Sequence, residues 1–210
     1  MTIDIEKNPM TSSTRDTMVA GAADLLSRRG VPATSLRTVV QHTLTPRGSL
    51  GHHFPGGKQQ LLEEAVRYAN ESVAAPLEAL LQERGAVEGL RAFVGWWRRV
   101  LEKSGFEAGC PVLAVAVEPM AGDEITDQEG TQTGEPLRAL AHEAFERWQT
   151  ILVVALRRDG IPAVRARRLG ALIVASIEGT VAMCRAARSA QPLDDVQREL
   201  EIVLTSALQP

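Results

Sequence analysis

The sequence predicts an all-α chain in two parts: a three-helix N-terminal domain over residues 14–73 and a larger helical domain over 74–210. Three observations carry that reading. Apolar residues recur at helical spacing in most segments, as in Met18, Ala22, Leu25 and Leu26, or in Leu193, Val196, Leu200 and Val203. Glycine and proline punctuate the segment ends, as at Gly30, at Pro55, Gly56 and Gly57, and at Gly160 and Pro162. Between Arg28 and Leu62 lie two short helix patterns joined by a tight turn, in a window without any Asp or Glu.

Taken in order, residues 1–12 lack an apolar period and read as an arm. Ser13 or Thr14 caps a first helix running to Arg29, with Asp16 in its first turn and Gly30 after its end. Thr34 or Ser35 caps a second helix ending near His42, and Thr45 followed by Pro46 marks a third start. Helices this short need a shared core, expected from Leu36, Val39, Val40, Leu50 and Phe54 against the first helix. A long helix follows from Lys58 to Arg84, which Pro76 should bend or split. The next, from Val87 to Lys103, carries Leu90, Phe93, Val94, Trp96, Trp97 and Val100 on an arc too wide for one neighbour.

Gly109 to Met120 reads on pattern alone as a buried helix opening at Pro111 or as a strand, and its helical surroundings favour the helix. Residues 122–135 are acidic and turn-rich, the pattern of an exposed loop. Helices over 136–158 and 163–187 and a last one from about Leu193, capped by Asp194 or a neighbour, complete the chain. Gly170, Ala175 and Gly179 permit close helix contact. With the seam of Val196, Leu200 and Val203 they form apolar surface expected to pair two copies as a homodimer.

At 210 residues and 44% hydrophobic content the chain can bury a sizeable core. Its longest apolar runs fall short of the roughly 20 residues of a membrane span, and MTIDIEKNPM is no signal peptide, so no membrane is expected and the cytoplasm is the default compartment. Two distant cysteines, Cys110 and Cys184, suit buried reduced thiols. The net charge of −3 is unevenly spread: residues 1–70 hold eight Lys/Arg against six Asp/Glu, residues 71–210 fifteen against twenty. A local basic patch can therefore meet a polyanion despite the overall acidity.

Arg28, Arg29, Arg37, Arg47 and Lys58, with His42, His52 and His53, occupy the acid-free window. Paired short helices in such a setting are the pattern of a helix-turn-helix, whose second helix lies in the DNA major groove while the first crosses the backbone. Thr45, Arg47, Gly48, Ser49 and His52 would face the groove, Arg47 on a guanine edge or a phosphate. Thr34 and Arg37, near the start of the second helix, suit phosphates.

The run from Pro46 to Leu61, PRGSLGHHFPGGKQQL, resembles the signature of the tetracycline-repressor-like (TetR) family, and its PGGK resembles the LmrA/YxaF-like branch. The similarity is strong from Thr14 to Val73 and continues more weakly through GCPVLAVAVE from Gly109. The chain departs from the family's usual glycine in the turn, where it has Leu44, and from an aromatic in the recognition helix, where it has Gly51. The resemblance implies a double-stranded DNA operator as partner, contacts at the groove-facing positions, and Lys58 on a phosphate. It also implies a homodimeric transcriptional regulator, a repressor released by a small, hydrophobic effector bound in the C-terminal domain. Phe93, Trp96, Trp97, Met120 and Trp148 are the candidate lining of that site, since ligand pockets are mostly apolar and aromatic, although residues at such spacing are commonly plain core.

Other chemistry finds little support. His52 and His53 are adjacent, so on a helix they point about 100° apart, and no further ligand stands at metal spacing. Cys110 with His142 lacks an orienting third group. Asp123, Glu124, Asp127 and Glu129 lack the order of a calcium loop. No catalytic residue, metal or cofactor is expected. The rival reading is a helical ligand carrier or enzyme whose helix-turn-helix is vestigial.

Overall fold

A computed structural model describes residues 13–118 and 134–208. The expected arm, most of the expected acidic loop, and Met120 lie outside the described residues. Among those described there are helices, turns and loops and no strand. They divide into two compact units, one formed by residues up to 70 with the described part of 110–143, the other by 71–109 with 144–208.

In the first unit, α1 (Thr14–Arg29) starts on Ser13, whose Oγ accepts the Asp16 N–H at 3.1 Å while Asp16 accepts the Ser13 N–H at 3.2 Å. This reciprocal cap satisfies two end groups at once. Gly30, at φ 73°, closes the helix. The second helix, α2 (Leu36–Thr43), is capped by Ser35 with Thr38 in the same reciprocal way. α1 packs against both α2 and α5 (Pro111–Ala116). Met18, Leu26, Val39, Phe54, Leu62 and Val112 are among the buried residues of this unit, while Leu36 and Leu50 are half-buried.

Two expected starts are corrected. Thr45 does not cap the third helix: its hydroxyl bonds the Thr43 hydroxyl at 2.8 Å, and a 3-10 turn from Arg47 to Ser49 leads from Pro46 into α3 (Leu50–His53). Asp194 does not cap the last helix, α8 (Gln191–Leu208), which starts earlier, where Ser189 Oγ accepts the Gln191 N–H at 3.2 Å. Asp194 pairs with Arg98 instead.

The long run α4 (Gly57–Lys103) passes through Pro76 without a break. Buried Val73, Ala74, Leu77 and Leu81 on both sides of the proline hold it helical. The interruption is at Gly85, where φ is 78°, a conformation glycine adopts without steric cost. A Cβ on Gly89 would lie 2.7 Å from the Leu80 carbonyl oxygen, whereas nine residues of straight helix span roughly 13 Å. The two halves of α4 therefore fold sharply on one another there. The second unit is completed by α6 (Gly134–Arg158), of which residues from 144 belong to it, α7 (Ala163–Ala187) and α8. Gly170 lets α7 approach α6 closely: a Cβ would meet Gln149 O and Val153 Cγ2, each at 3.2 Å. Cys110 and Cys184 are buried and not in a disulfide.

Candidate nucleic-acid interface

The acid-free window gains its electrostatic character from where the neighbouring acids point. Asp24 on α1 is buried at 4% exposure, and its carboxylate accepts from Arg28 Nε at 2.9 Å and meets His42 Nε2 of α2 at 2.9 Å. Glu64 is paired with Arg15 at 2.7 Å and Glu63 with Arg67 at 3.2 Å. By contrast Arg37, Arg47 and Lys58 make no ion pair among the described residues. The outward surface of the helix-turn-helix is left with positive charge that no described acid pairs, while a buried carboxylate ties α1 to α2. Sequence reasoning missed the pairing of Asp24 with His42 because the two are 18 residues apart and meet only through packing.

The turn between α2 and the 3-10 segment is made by Leu44, in the left-handed region at φ 55°, ψ 31°, with its N–H on the Val40 carbonyl. Its side chain is 90% exposed. The backbone thus takes the path that glycine would take, at the steric cost a Cβ imposes there. Beyond it, Arg47, Gly48 and His52 are exposed, and Thr45, Ser49 and Lys58 are half-buried. Phe54 is buried beneath Arg15, whose guanidinium carbon stands 5.5 Å from the ring centre.

Two of the expected hydroxyl contacts take on a direction. Ser49 Oγ donates to the Pro46 carbonyl at 2.6 Å. Thr43 Oγ1 donates to the Val39 carbonyl at 2.8 Å, so in the Thr43–Thr45 bond the proton comes from Thr45. Both Ser49 and Thr45 therefore turn lone pairs outward. A phosphate only accepts, so the groups of this surface able to donate to one are Arg37, Arg47, His52, Lys58 and backbone N–H groups. Thr34 is corrected outright: it is 0% exposed and its hydroxyl donates to the Gly30 carbonyl at 2.8 Å. It braces the loop before α2 and has no surface for a phosphate.

Of the five candidate effector residues, the structure brings two to one cavity. Phe93 and Trp148 line a space of about 10 Å³ with Leu77, Leu152, Ile177 and Glu178. Trp96 is half-buried and stacked on Phe93 at 5.6 Å. Trp97 is buried, and its Nε1 finds no acceptor among the described residues. Glu178 was not singled out in the sequence, where an acid inside the apolar run of α7 was the available signal.

Residues 18–65 match the model of the bacterial regulatory proteins of the tetR family, and residues 86–199 that of the C-terminal domain of LmrA/YxaF-like transcriptional regulators. The HTH-type transcriptional regulator Rv0196 of Mycobacterium tuberculosis is 41% identical over 92% of this chain and 95% of its own length. The HTH-type transcriptional regulator LmrA of Bacillus subtilis is 30% identical over 85% and 90%. A TetR transcriptional regulator of Chloroflexus aurantiacus superposes with a TM-score of 0.69 at 28% identity, over 91% of this chain and 94% of that one. The regulatory protein TetR of Rhodobacter sphaeroides does so at 0.75 and 17%, over 90% and 97%, a likeness of fold alone. Matched across both halves, the chain belongs to the TetR family of bacterial transcriptional regulators and carries an LmrA/YxaF-like C-terminal domain.

Proposed function

We propose that the chain is a homodimeric repressor that binds a double-stranded DNA operator through residues 14–73 and leaves it when a small molecule binds within 74–210. The observation that carries the DNA contact is the charge of Arg37, Arg47 and Lys58, without an ion pair among the described residues, on a helix-turn-helix near which Asp24 is buried and Glu63 and Glu64 are paired. Arg47 and His52, with the outward lone pairs of Thr45 and Ser49 and the bare backbone at Gly48, make the groove-reading set. Arg37 and Lys58 hold phosphates. The rest of the chain couples to this set by linkage: an effector that prefers the arrangement unsuited to the operator lowers DNA affinity, and the operator lowers effector affinity by the same factor.

The paired assembly is supported by α7, which is apolar on two faces. Ile173, Ile177 and Val181 are buried, while Leu172, Ala175, Gly179 and Met183 are exposed. By length and composition α7 is apolar enough to cross a membrane, with a mean hydropathy of 1.5 and 44% of that window buried. A second copy covering the outer face accounts for the same pattern without a membrane. The expected seam shifts accordingly: Leu200 is 4% exposed inside the protomer, and Ile202, at 61%, is the large apolar residue that α8 exposes most.

Selection of bound duplexes from a random pool, followed by titration at several salt concentrations, tests the proposal. A sequence-selective site whose affinity falls steeply with salt is expected, with a slope reduced by about 1 when Lys58 becomes Ala. Binding without sequence preference would sink it.

A further inference from the structure

The end of α2 is held on α1 at two points. A Cβ on Gly21 would overlap Thr43 Cγ2, so the helices touch there with no α1 side chain between them. Three residues on, the buried carboxylate of Asp24 takes Arg28 Nε on both oxygens, at 3.0 and 2.9 Å, and meets His42 Nε2 at 2.9 Å. A carboxylate only accepts, so His42 Nε2 carries the proton. Burying an acid is costly unless it is paired, and an apolar residue would join the helices without that cost. What the acid adds is direction. Val39 and Val40 are buried on α2, but burial has no preferred direction, whereas a hydrogen bond fixes distance and angle. Only four residues separate His42 from Arg47, and they have little slack. Thr43 Oγ1 donates to the Val39 carbonyl and accepts from Thr45 Oγ1, each at 2.8 Å, the Leu44 N–H bonds the Val40 carbonyl, and Pro46 is held at φ −65°.

We propose that Asp24 and His42 are positioning residues for operator reading: their bond sets where the end of α2 lies on α1, and the chain from Thr43 to Pro46 hands that position to Arg47. The proposal rests on the reading that Arg47 and its neighbours face the groove, and adds a pair that acts through the chain and not on DNA. Reading a base edge needs a side chain held within about 0.5 Å, whereas attraction to phosphates is independent of sequence and tolerates larger shifts. Loss of the bond therefore costs selectivity and spares the general affinity for duplex.

The test compares, in the full chain, affinity for the duplex selected from a random pool with affinity for an unrelated duplex of the same length, by fluorescence anisotropy at one salt concentration and pH. The ratio of the two cancels any loss of folded protein, and His42, whose side chain is 37% exposed, can be replaced without emptying the core. His42→Leu is expected to lower the ratio at least tenfold, about 1.4 kcal/mol, with the unrelated duplex bound within about twofold of the wild type. His42→Gln, whose amide N–H still reaches Asp24, should keep the ratio within about threefold. Asp24→Leu, which removes the acceptor and leaves His42 in place, should match His42→Leu. Should it not fold, Thr43→Val, which removes the bond to Thr45 and leaves the pair intact, takes its place and should also lower the ratio. An unchanged ratio in His42→Leu, or equal losses for leucine and glutamine at position 42, overturns the proposal. So does a ratio that falls for the position 42 variants alone, since His42 would then touch DNA itself. No selective duplex at all defeats the groove reading and this proposal with it, whereas a selected duplex bound normally by every variant defeats this proposal and leaves that reading.

Discussion

Asp159, at the end of α6, accepts the backbone N–H of Ala86 at 2.6 Å and so caps the second half of α4 from 73 residues away. Its neighbour Arg158 donates to the Leu81 carbonyl at 2.7 Å on the other side of the Gly85 break. One dipeptide thus satisfies backbone groups on both ends of an interrupted helix, a donor by the acid and an acceptor by the base, the signs that helix ends require.

Removing that cap has a defined cost. Asp159→Ala should lower stability by about 1–2 kcal/mol, the range of N-cap deletions, while Asp159→Asn, which still accepts, should lose less than half as much. Denaturant unfolding of the three proteins checks the order. Equal losses for Ala and Asn would mean that the carboxylate acts through its charge and not as an acceptor.

Leu44 gives the opposite sign. At φ 55° and 90% exposure it bears the left-handed strain and returns little burial. Leu44→Asn should therefore raise stability by about 0.5–1 kcal/mol, since Asn tolerates this conformation. A loss of stability would show that the leucine is held by contacts it makes elsewhere, such as in the dimer.

These residues mark how far the sequence can be read. The limits of α1 and α7 were legible because Ser13, Gly30 and Pro162 act within one turn of the helix they bound. Thr34 and Ser35 were equal as caps on local grounds, and the choice fell to a tertiary detail, the Gly30 carbonyl within 2.8 Å of Thr34. The missing N–H of Pro76 predicts a bend or a split, and the helix is not split there, where buried neighbours stand on both sides. Asp159 was invisible as a cap because the helix end it serves lies 73 residues away in the chain.

Pairing of two copies through the outer faces of α7 and α8 predicts that Met183→Glu with Ile202→Glu gives a folded monomer. Those side chains are 57% and 61% exposed in the protomer, so charge there leaves the protomer's own core intact. Leu200→Glu should instead unfold the chain, as its side chain is buried. Sedimentation and helical circular dichroism separate the two. A double variant that stays folded and dimeric would place the interface on another face.

Acid should weaken the second unit through its surface pairs. A hydrogen bond from Arg91 holds the Glu201 carboxyl below its usual 4.5, and one from Arg147 does the same for Glu71. The native state then binds fewer protons than the unfolded chain in the range just below 4.5, so the contribution is complete above that value and is lost as pH falls through the native one. Both pairs are partly exposed, so screening keeps the effect small. Melting temperatures from pH 7 to 3 should fall less steeply for Glu201→Gln than for the wild type, in low salt. Parallel curves would show that the pair contributes nothing measurable.

Gly51 sets two physical accounts against each other. A glycine inside a helix costs about 1 kcal/mol relative to alanine, so it is either tolerated drift at a position where the family uses an aromatic, or kept so that backbone can approach DNA. The structure leaves room for either: a Cβ on Gly51 would meet nothing within 4 Å, and the residue is exposed in a helix of only four residues. Drift is the account we favour, because on the proposed function phosphate contacts are spread over Arg37, Lys58 and neighbouring amides. On that account Gly51→Tyr stiffens the short α3, raises thermal stability and adds a phenolic hydroxyl toward the backbone, so operator affinity rises with it. Both quantities are to be measured on one preparation. A variant that melts higher yet binds its operator tenfold worse, about 1.4 kcal/mol, would show that the missing side chain makes room for DNA, and that α3 trades its own stability for a closer approach.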